Sequence, residues 1–140
     1  MYKIKQIPED FVVKEISNLD FKEKGTYSYY LLKKRNQNTL DAIRILSKKF
    51  RIPLKDIGFA GSKDKQAVTE QVISVKAKKI NLELLGYGDQ PVCLGDLEGN
   101  YFEITIRNLD NFEFKENKKI INYFDTQRFR CLILICLNRF

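Results

Sequence analysis

The chain has no histidine, no tryptophan and only one methionine and three prolines in 140 residues. Without histidine, Ser–His and Cys–His nucleophile pairs and His-ligated metal sites are excluded. The three cysteines, Cys93, Cys131 and Cys136, form no CxxC pair and leave an odd thiol. That usage fits a reducing compartment, with packing as their expected role and no metal or cofactor implied. Long hydrophobic runs are also missing. The longest continuous one, 131–137, falls well short of the roughly 20 residues a bilayer span requires. Met1 leads directly into alternating charged and apolar residues, with no signal-peptide pattern. No repeat, low-complexity stretch or Pro/Gly/Ser linker interrupts the chain. The expectation is a soluble, cytoplasmic, single-domain protein with no membrane partner.

What is present is charge and β-branched or aromatic sequence. Lys and Arg total 25 against 18 acids, a net charge of +7. An excess of that sign favours a polyanionic partner, because basic side chains displace counterions condensed on a phosphate backbone; a solvated Lys-rich surface produces the same count. The pattern predicts strands over 11–16 (FVVKEI), 27–32 (YSYYLL) and 68–75. A helix capped by Asn38 or Thr39 is predicted to run to about Phe50, with Leu40, Ile43, Leu46 and Phe50 on its apolar face. A strand pair, 92–94 with 101–107, is expected around the turn 95–100. In the second member Phe102, Ile104 and Ile106 share one face. A weaker helical pattern covers 115–124. Strands interrupted by few helices give an α+β fold with a mixed, mainly antiparallel sheet.

The chemistry concentrates in 57–71. A short apolar run reaches Gly61, a turn presents Ser62, Lys63, Asp64 and Lys65, and Val68 returns the chain to a strand. A carboxylate on a loop between two buried strands, with a lysine on either side, is favoured in its ionised form, as a nucleophile or general base near neutral pH must be. The same residue types also make an ordinary charged turn.

Four segments in order resemble the TruD-type tRNA pseudouridine synthases. GFAGSKDKQAVTEQ (58–71) is similar to that family's AGxKDxxAxTxQ signature, filled here by Ala60, Gly61, Lys63, Asp64, Ala67, Thr69 and Gln71. IKQIPEDFVVKE (4–15) resembles its opening KxxPEDFxVxE strand through Lys5, Pro8, Glu9, Asp10, Phe11, Val13 and Glu15. LGDLEGNYFEITIR (94–107) is similar to LGxLxGNxFxxxLR, with Ile106 where the pattern has Leu, and NYFDTQRF (122–129) resembles NYFGxQRFG, with Asp125 in place of Gly.

The resemblance implies an enzyme that detaches uracil from a tRNA ribose, rotates it and rejoins it through carbon, position 13 being the family's usual target, without a cofactor. Asp64 holds the place of the essential aspartate, which either attacks the sugar or first removes a ribose proton. Phe102 holds that of an aromatic at the target base, which must leave its stack to react. Asn100 is placed to hydrogen-bond backbone or substrate. Lys5 matches an active-site lysine able to keep the carboxylate ionised and contact phosphate or a uracil oxygen, and Lys63 is a further candidate for that electrostatic task. Thr69 and Gln71 are expected to brace the loop, and Arg128 to complete the fold around the site. Phe102 also reads as core, Asn100 as a turn residue tolerating an unusual backbone angle, and Lys5 as an exposed strand residue.

The resemblance extends to Phe129, where the family continues. Residues 1–129 are therefore expected to form the N-terminal part of a pseudouridine synthase catalytic domain, with 130–140 an atypical tail. Two readings follow: an enzyme acting on tRNA, with a second chain as candidate supplier of the rest of the cleft, or a truncated non-catalytic RNA-binding or partner-dependent half-domain.

Overall fold

The computed structural model describes residues 2–76 and 79–109. Eight strands and one α-helix follow in chain order: β1 (Lys3–Ile4), β2 (Phe11–Ile16), β3 (Tyr27–Arg35), α1 (Thr39–Phe50), β4 (Ile57–Phe59), β5 (Val68–Lys76), β6 (Glu83–Gly88), β7 (Gly99–Ile104) and β8 (Ile106–Arg107). The main sheet runs β6-β3-β5-β2-β7, with β4 added on β5, and β1 pairs with β8 separately. Among these pairings β2–β5 alone is parallel, so the α+β, mainly antiparallel expectation holds.

Period-2 alternation sends the two faces of β3 and β5 into different clusters. Tyr30, Leu32, Ile73 and Val75 pack with Ala42, Ile43 and Leu46 of α1, together with Ile52 and Ile57. Tyr29, Val72, Ala60 and Val92 form the cluster on the opposite face. Both faces of β5 are therefore covered, and the strand buries Val72, Ile73 and Val75 together with the polar Thr69, Gln71 and Ser74. Each such aliphatic side chain contributes about 1.5–3 kcal/mol when fully buried.

On α1 the buried stripe comprises Thr39, Ala42, Ile43 and Leu46, with Phe50 packed at its margin. Leu40, expected on that face, is 49% exposed because it lies off the stripe. The helix stops where Arg51 takes a left-handed conformation and the Ile52 N–H bonds the Ser47 carbonyl.

The expected strand pair does not form. Residues 92–94 are not a strand; there the Val92 N–H is held by the Ser74 hydroxyl, and the Gly95 N–H by the Ala60 carbonyl. The chain then crosses the sheet, and β7 pairs antiparallel with β2, from Phe11↔Ile104 to Ile16↔Gly99. Residues 101–107 are also not one strand. At Thr105, whose N–H bonds the Asp10 carbonyl, the chain changes partner, and β8 pairs with β1. β6, bulged against β3 between Tyr29 and Tyr30, has no counterpart in the sequence reading. Cys93 is exposed, so packing is not its role, and the 115–124 helix, Arg128, Cys131 and Cys136 lie outside the described residues. No helix among the described residues is long and apolar enough to cross a membrane.

Candidate active site

Apolar side chains line the helix-facing side of β3 and β5 until the last turn before the 60–67 loop, where the row becomes polar. Lys34 continues the row of Tyr30 and Leu32, and Thr69 and Gln71 continue that of Ile73 and Val75. All three are buried, as is Thr39 at the start of α1. Buried polar groups must find partners, and these find theirs mostly in the backbone of the loop. The Thr39 hydroxyl accepts from the Lys63 N–H at 2.9 Å and donates to Gln71 Oε1 at 3.2 Å. Gln71 Nε2 in turn donates to the Gly61 carbonyl at 3.0 Å. The Lys34 ammonium donates to the carbonyls of Gln37, Asp64 and Lys63 at 2.8, 2.7 and 3.3 Å. Burial pushes Lys34 below the ordinary lysine value, with the charge of Asp64 opposing the shift and that of Lys63 adding to it. Gln71 thus braces the loop as expected, whereas the Thr69 hydroxyl is buried with no hydrogen-bond partner among the described residues.

Lys63 and Asp64 leave this anchored backbone in different directions. The Lys63 ammonium turns inward to Glu15 of β2, in an ion pair whose side chains are 5% and 1% exposed. The other Glu15 oxygen accepts the Val72 N–H. Lys63 therefore ties the loop to the sheet, and its ion-pair partner is Glu15 rather than the neighbouring aspartate. The Asp64 side chain remains 53% exposed, and its Oδ2 lies 3.2 Å from the Lys5 ammonium.

Lys5 reaches this position through an unusual backbone. It has a positive φ of 52°, and Gln66 Nε2 donates to its carbonyl at 2.9 Å. The segment is secured by Asp10, which is 1% exposed at its side chain and accepts the N–H groups of Gln6 and Ile7. Arg107 donates to both Asp10 oxygens, at 2.7–3.1 Å. That guanidinium holds the Asp10 carboxyl below the usual aspartate value against the opposing effect of burial. A bidentate pair of this kind fixes orientation as well as charge.

The Lys5 ammonium also stands 3.7 Å from the centroid of the Phe11 ring. Phe11 and Phe102 lie with centroids 5.9 Å apart and planes inclined at 48°. Phe102 is half-buried, and Ile104 and Ile106, predicted to share its face, are 44% and 48% exposed. Asn100 lies opposite Glu15 in the β2–β7 register, and its buried Oδ1 has no hydrogen-bond partner among the described residues. Asp64, Lys5, Phe11 and Phe102 thus form one run of contacts: a carboxylate, its counter-cation and two aromatic rings. Phe11 was not singled out as a site residue from the sequence; the PEDF match contained it, but its cation–π contact is visible only in three dimensions. No group of three or more Cys, Asp or Glu side chains suited to a metal gathers among the described residues.

Comparison with known proteins covers the residues that form this arrangement. Residues 2–131 match the family model for tRNA pseudouridine synthase D (TruD). The chain belongs to the TruD family. It is 47% identical to tRNA pseudouridine synthase D of Aquifex aeolicus over 91% of its own length and 39% of that protein's. With the probable tRNA pseudouridine synthase D 2 of Methanocaldococcus jannaschii it shares 46% identity, over 91% of this chain and 34% of that one. The crystal structure of a putative TruD from Methanosarcina mazei superposes with a TM-score of 0.72 at 39% identity, covering 78% of this chain and 28% of that one. The chain thus spans less than half the length of these TruD relatives.

Proposed function

We propose that this chain is the Asp64-bearing part of a tRNA pseudouridine synthase, converting a uridine of tRNA, at position 13 by analogy with the family, to pseudouridine. The reading rests on one observation: an accessible carboxylate, paired with Lys5, sits on a loop held by buried hydrogen bonds, and aromatic rings lie beyond its cation. The conversion breaks the bond from the uracil ring nitrogen to the ribose and forms one from a ring carbon. The carbon loses a proton and the nitrogen gains one, so no cofactor is consumed. Asp64 is the catalytic residue, either as nucleophile at the anomeric carbon or as base toward a ribose proton; both need it ionised. Lys5 supplies the cation paired with that carboxylate and a donor for phosphate or a uracil oxygen. Phe102 offers a ring face to the extruded base, and Asn100 an amide to backbone or substrate. Lys63, with its ammonium committed to Glu15, serves the loop rather than the substrate. A cytoplasmic location is in keeping with a tRNA substrate.

The test is pseudouridine formation on unmodified tRNA transcript. Asp64→Ala and Asp64→Asn are expected to abolish product, and Asp56→Ala, in the short helical turn before β4, to preserve it. Product from Asp64→Ala at the wild-type rate would sink the reading.

A second reading is supported by β7, which among the described residues pairs on one side only, and by the exposed Ile104 and Ile106 beside it. In this version the chain needs another polypeptide to complete the cleft. It binds RNA in a salt-sensitive way and yields product only when the remainder of a TruD protein is added.

A further inference from the structure

We propose that Lys34 is a positioning residue of the Asp64 site: its buried ammonium fixes the backbone of Lys63 and Asp64 and thereby aims the Asp64 carboxylate at Lys5. The inference rests on the reading of Asp64 given above, and it concerns a side chain that does not itself reach the substrate.

Lys34 sits where strand alternation calls for another apolar residue, on the face that Tyr30 and Leu32 turn toward α1. It is 5% exposed. Among the described residues no carboxylate lies within ion-pair distance of its ammonium. A buried cation without a contacting anion is costly, and a leucine or methionine would fill the row without that cost. What the lysine adds is specific. An ammonium carries three donors and no acceptor, and all three are spent on main-chain carbonyls, two of them belonging to Lys63 and Asp64. The third, that of Gln37, lies in the turn leading to α1. One side chain therefore ties the loop carrying the carboxylate to the strand and turn below it. It also places a buried ammonium at the Asp64 backbone, in a setting where water screens charge poorly.

Other contacts do not duplicate this. Thr39 holds the Lys63 N–H, Gln71 the Gly61 carbonyl and Glu15 the Lys63 side chain. Lys34 is the side chain recorded on the Asp64 carbonyl itself. Releasing that carbonyl lets the peptide rotate, and displacement of a reacting group by about 1 Å costs on the order of 10²-fold in rate.

The experiment compares the full 140-residue chain with Lys34→Ala, with and without n-propylammonium, which replaces the three carbons and nitrogen removed. Lys34→Met, which keeps the apolar stem, is run in parallel in case the alanine variant does not fold. Two quantities are read: kcat and KM on tRNA transcript, and amide hydrogen exchange of residues 62–66 against Ile73 and Val75. Both variants are expected to lower kcat by about 10²-fold with KM nearly unchanged. Exchange in the loop is expected to quicken at least about tenfold while the core amides stay protected. In Lys34→Ala, n-propylammonium restores both quantities and n-propanol restores neither. The proposal is overturned by unchanged loop exchange, by loop and core amides losing protection together, or by rescue with n-propanol equal to that with the amine. If the wild-type chain forms no pseudouridine even with the remainder of a TruD protein added, the catalytic reading fails, and the exchange and rescue results still decide whether Lys34 holds the loop.

Discussion

The Lys5 ammonium and the Asp64 carboxylate lie 3.2 Å apart although 59 positions separate them along the chain. Neither end of the pair is left to chance. Gln66, two residues beyond Asp64, holds the Lys5 carbonyl, and Asp10 holds the backbone just after Lys5. The N-terminal segment and the 60–67 loop are therefore tied to each other at points beside the partly exposed pair.

Lys5→Met separates catalysis from stability. A partly exposed ion pair contributes about 0–1 kcal/mol, so urea unfolding should change little. Loss of the cation beside a reacting carboxylate should lower kcat by about tenfold or more. Equal losses in stability and rate would show that Lys5 serves the fold alone.

Lys63→Met should behave in the opposite way. Removing one member of the buried Glu15–Lys63 pair leaves a carboxylate in the sheet with no counter-charge, at a cost of about 3–5 kcal/mol. Adding Glu15→Gln to the same chain should recover part of that loss. Denaturant midpoints decide the matter, and a loss below about 1 kcal/mol for the single variant would contradict the assignment.

Acid should unfold the chain partly through Asp10. Arg107 lowers its folded pKa beneath the ordinary value of 3.8, so the pair's stabilisation is present above that value and is lost as the pH falls through the folded pKa. Arg107→Met removes the main cause of the shift. Its acid-unfolding midpoint, followed by circular dichroism, should therefore move to higher pH than that of the wild type. An unmoved midpoint would rule out this linkage.

Phe102 distinguishes ring face from apolar bulk. Phe102→Leu keeps an apolar side chain on β7 but loses the face, and its kcat/KM should fall about tenfold, within the range set by base–aromatic stacking of about 1–3 kcal/mol. Phe102→Tyr should stay near wild type. Matching rates for Leu and Phe would return Phe102 to a packing role.

Much of this site is legible along the chain because the information is local. Gly61, Asp64 and Gln71 fall in one short segment, and β2, β3, β5 and α1 follow from alternation and helical spacing. Misreadings occur where the pairing is distant. Residues 92–94 and 101–107 look like a hairpin because both are apolar and a Gly-rich turn joins them. Yet Phe102 aligns with Val13, since β2 has an edge free to receive β7. β6 escaped because its pairing with β3, rather than its own residue pattern, makes it a strand.

The sequence by itself determined the family and the loop, and singled out Asp64 as the candidate aspartate, since a family motif and a turn between two strands are contiguous features. Only the tertiary structure decided which charges serve Asp64. Lys5, Lys34 and Lys63 are alike as residue types, but one pairs with the carboxylate, one holds its backbone and one is buried against Glu15. A lysine's role depends on where its long stem ends, and on which carbonyls or carboxylates folding has brought there.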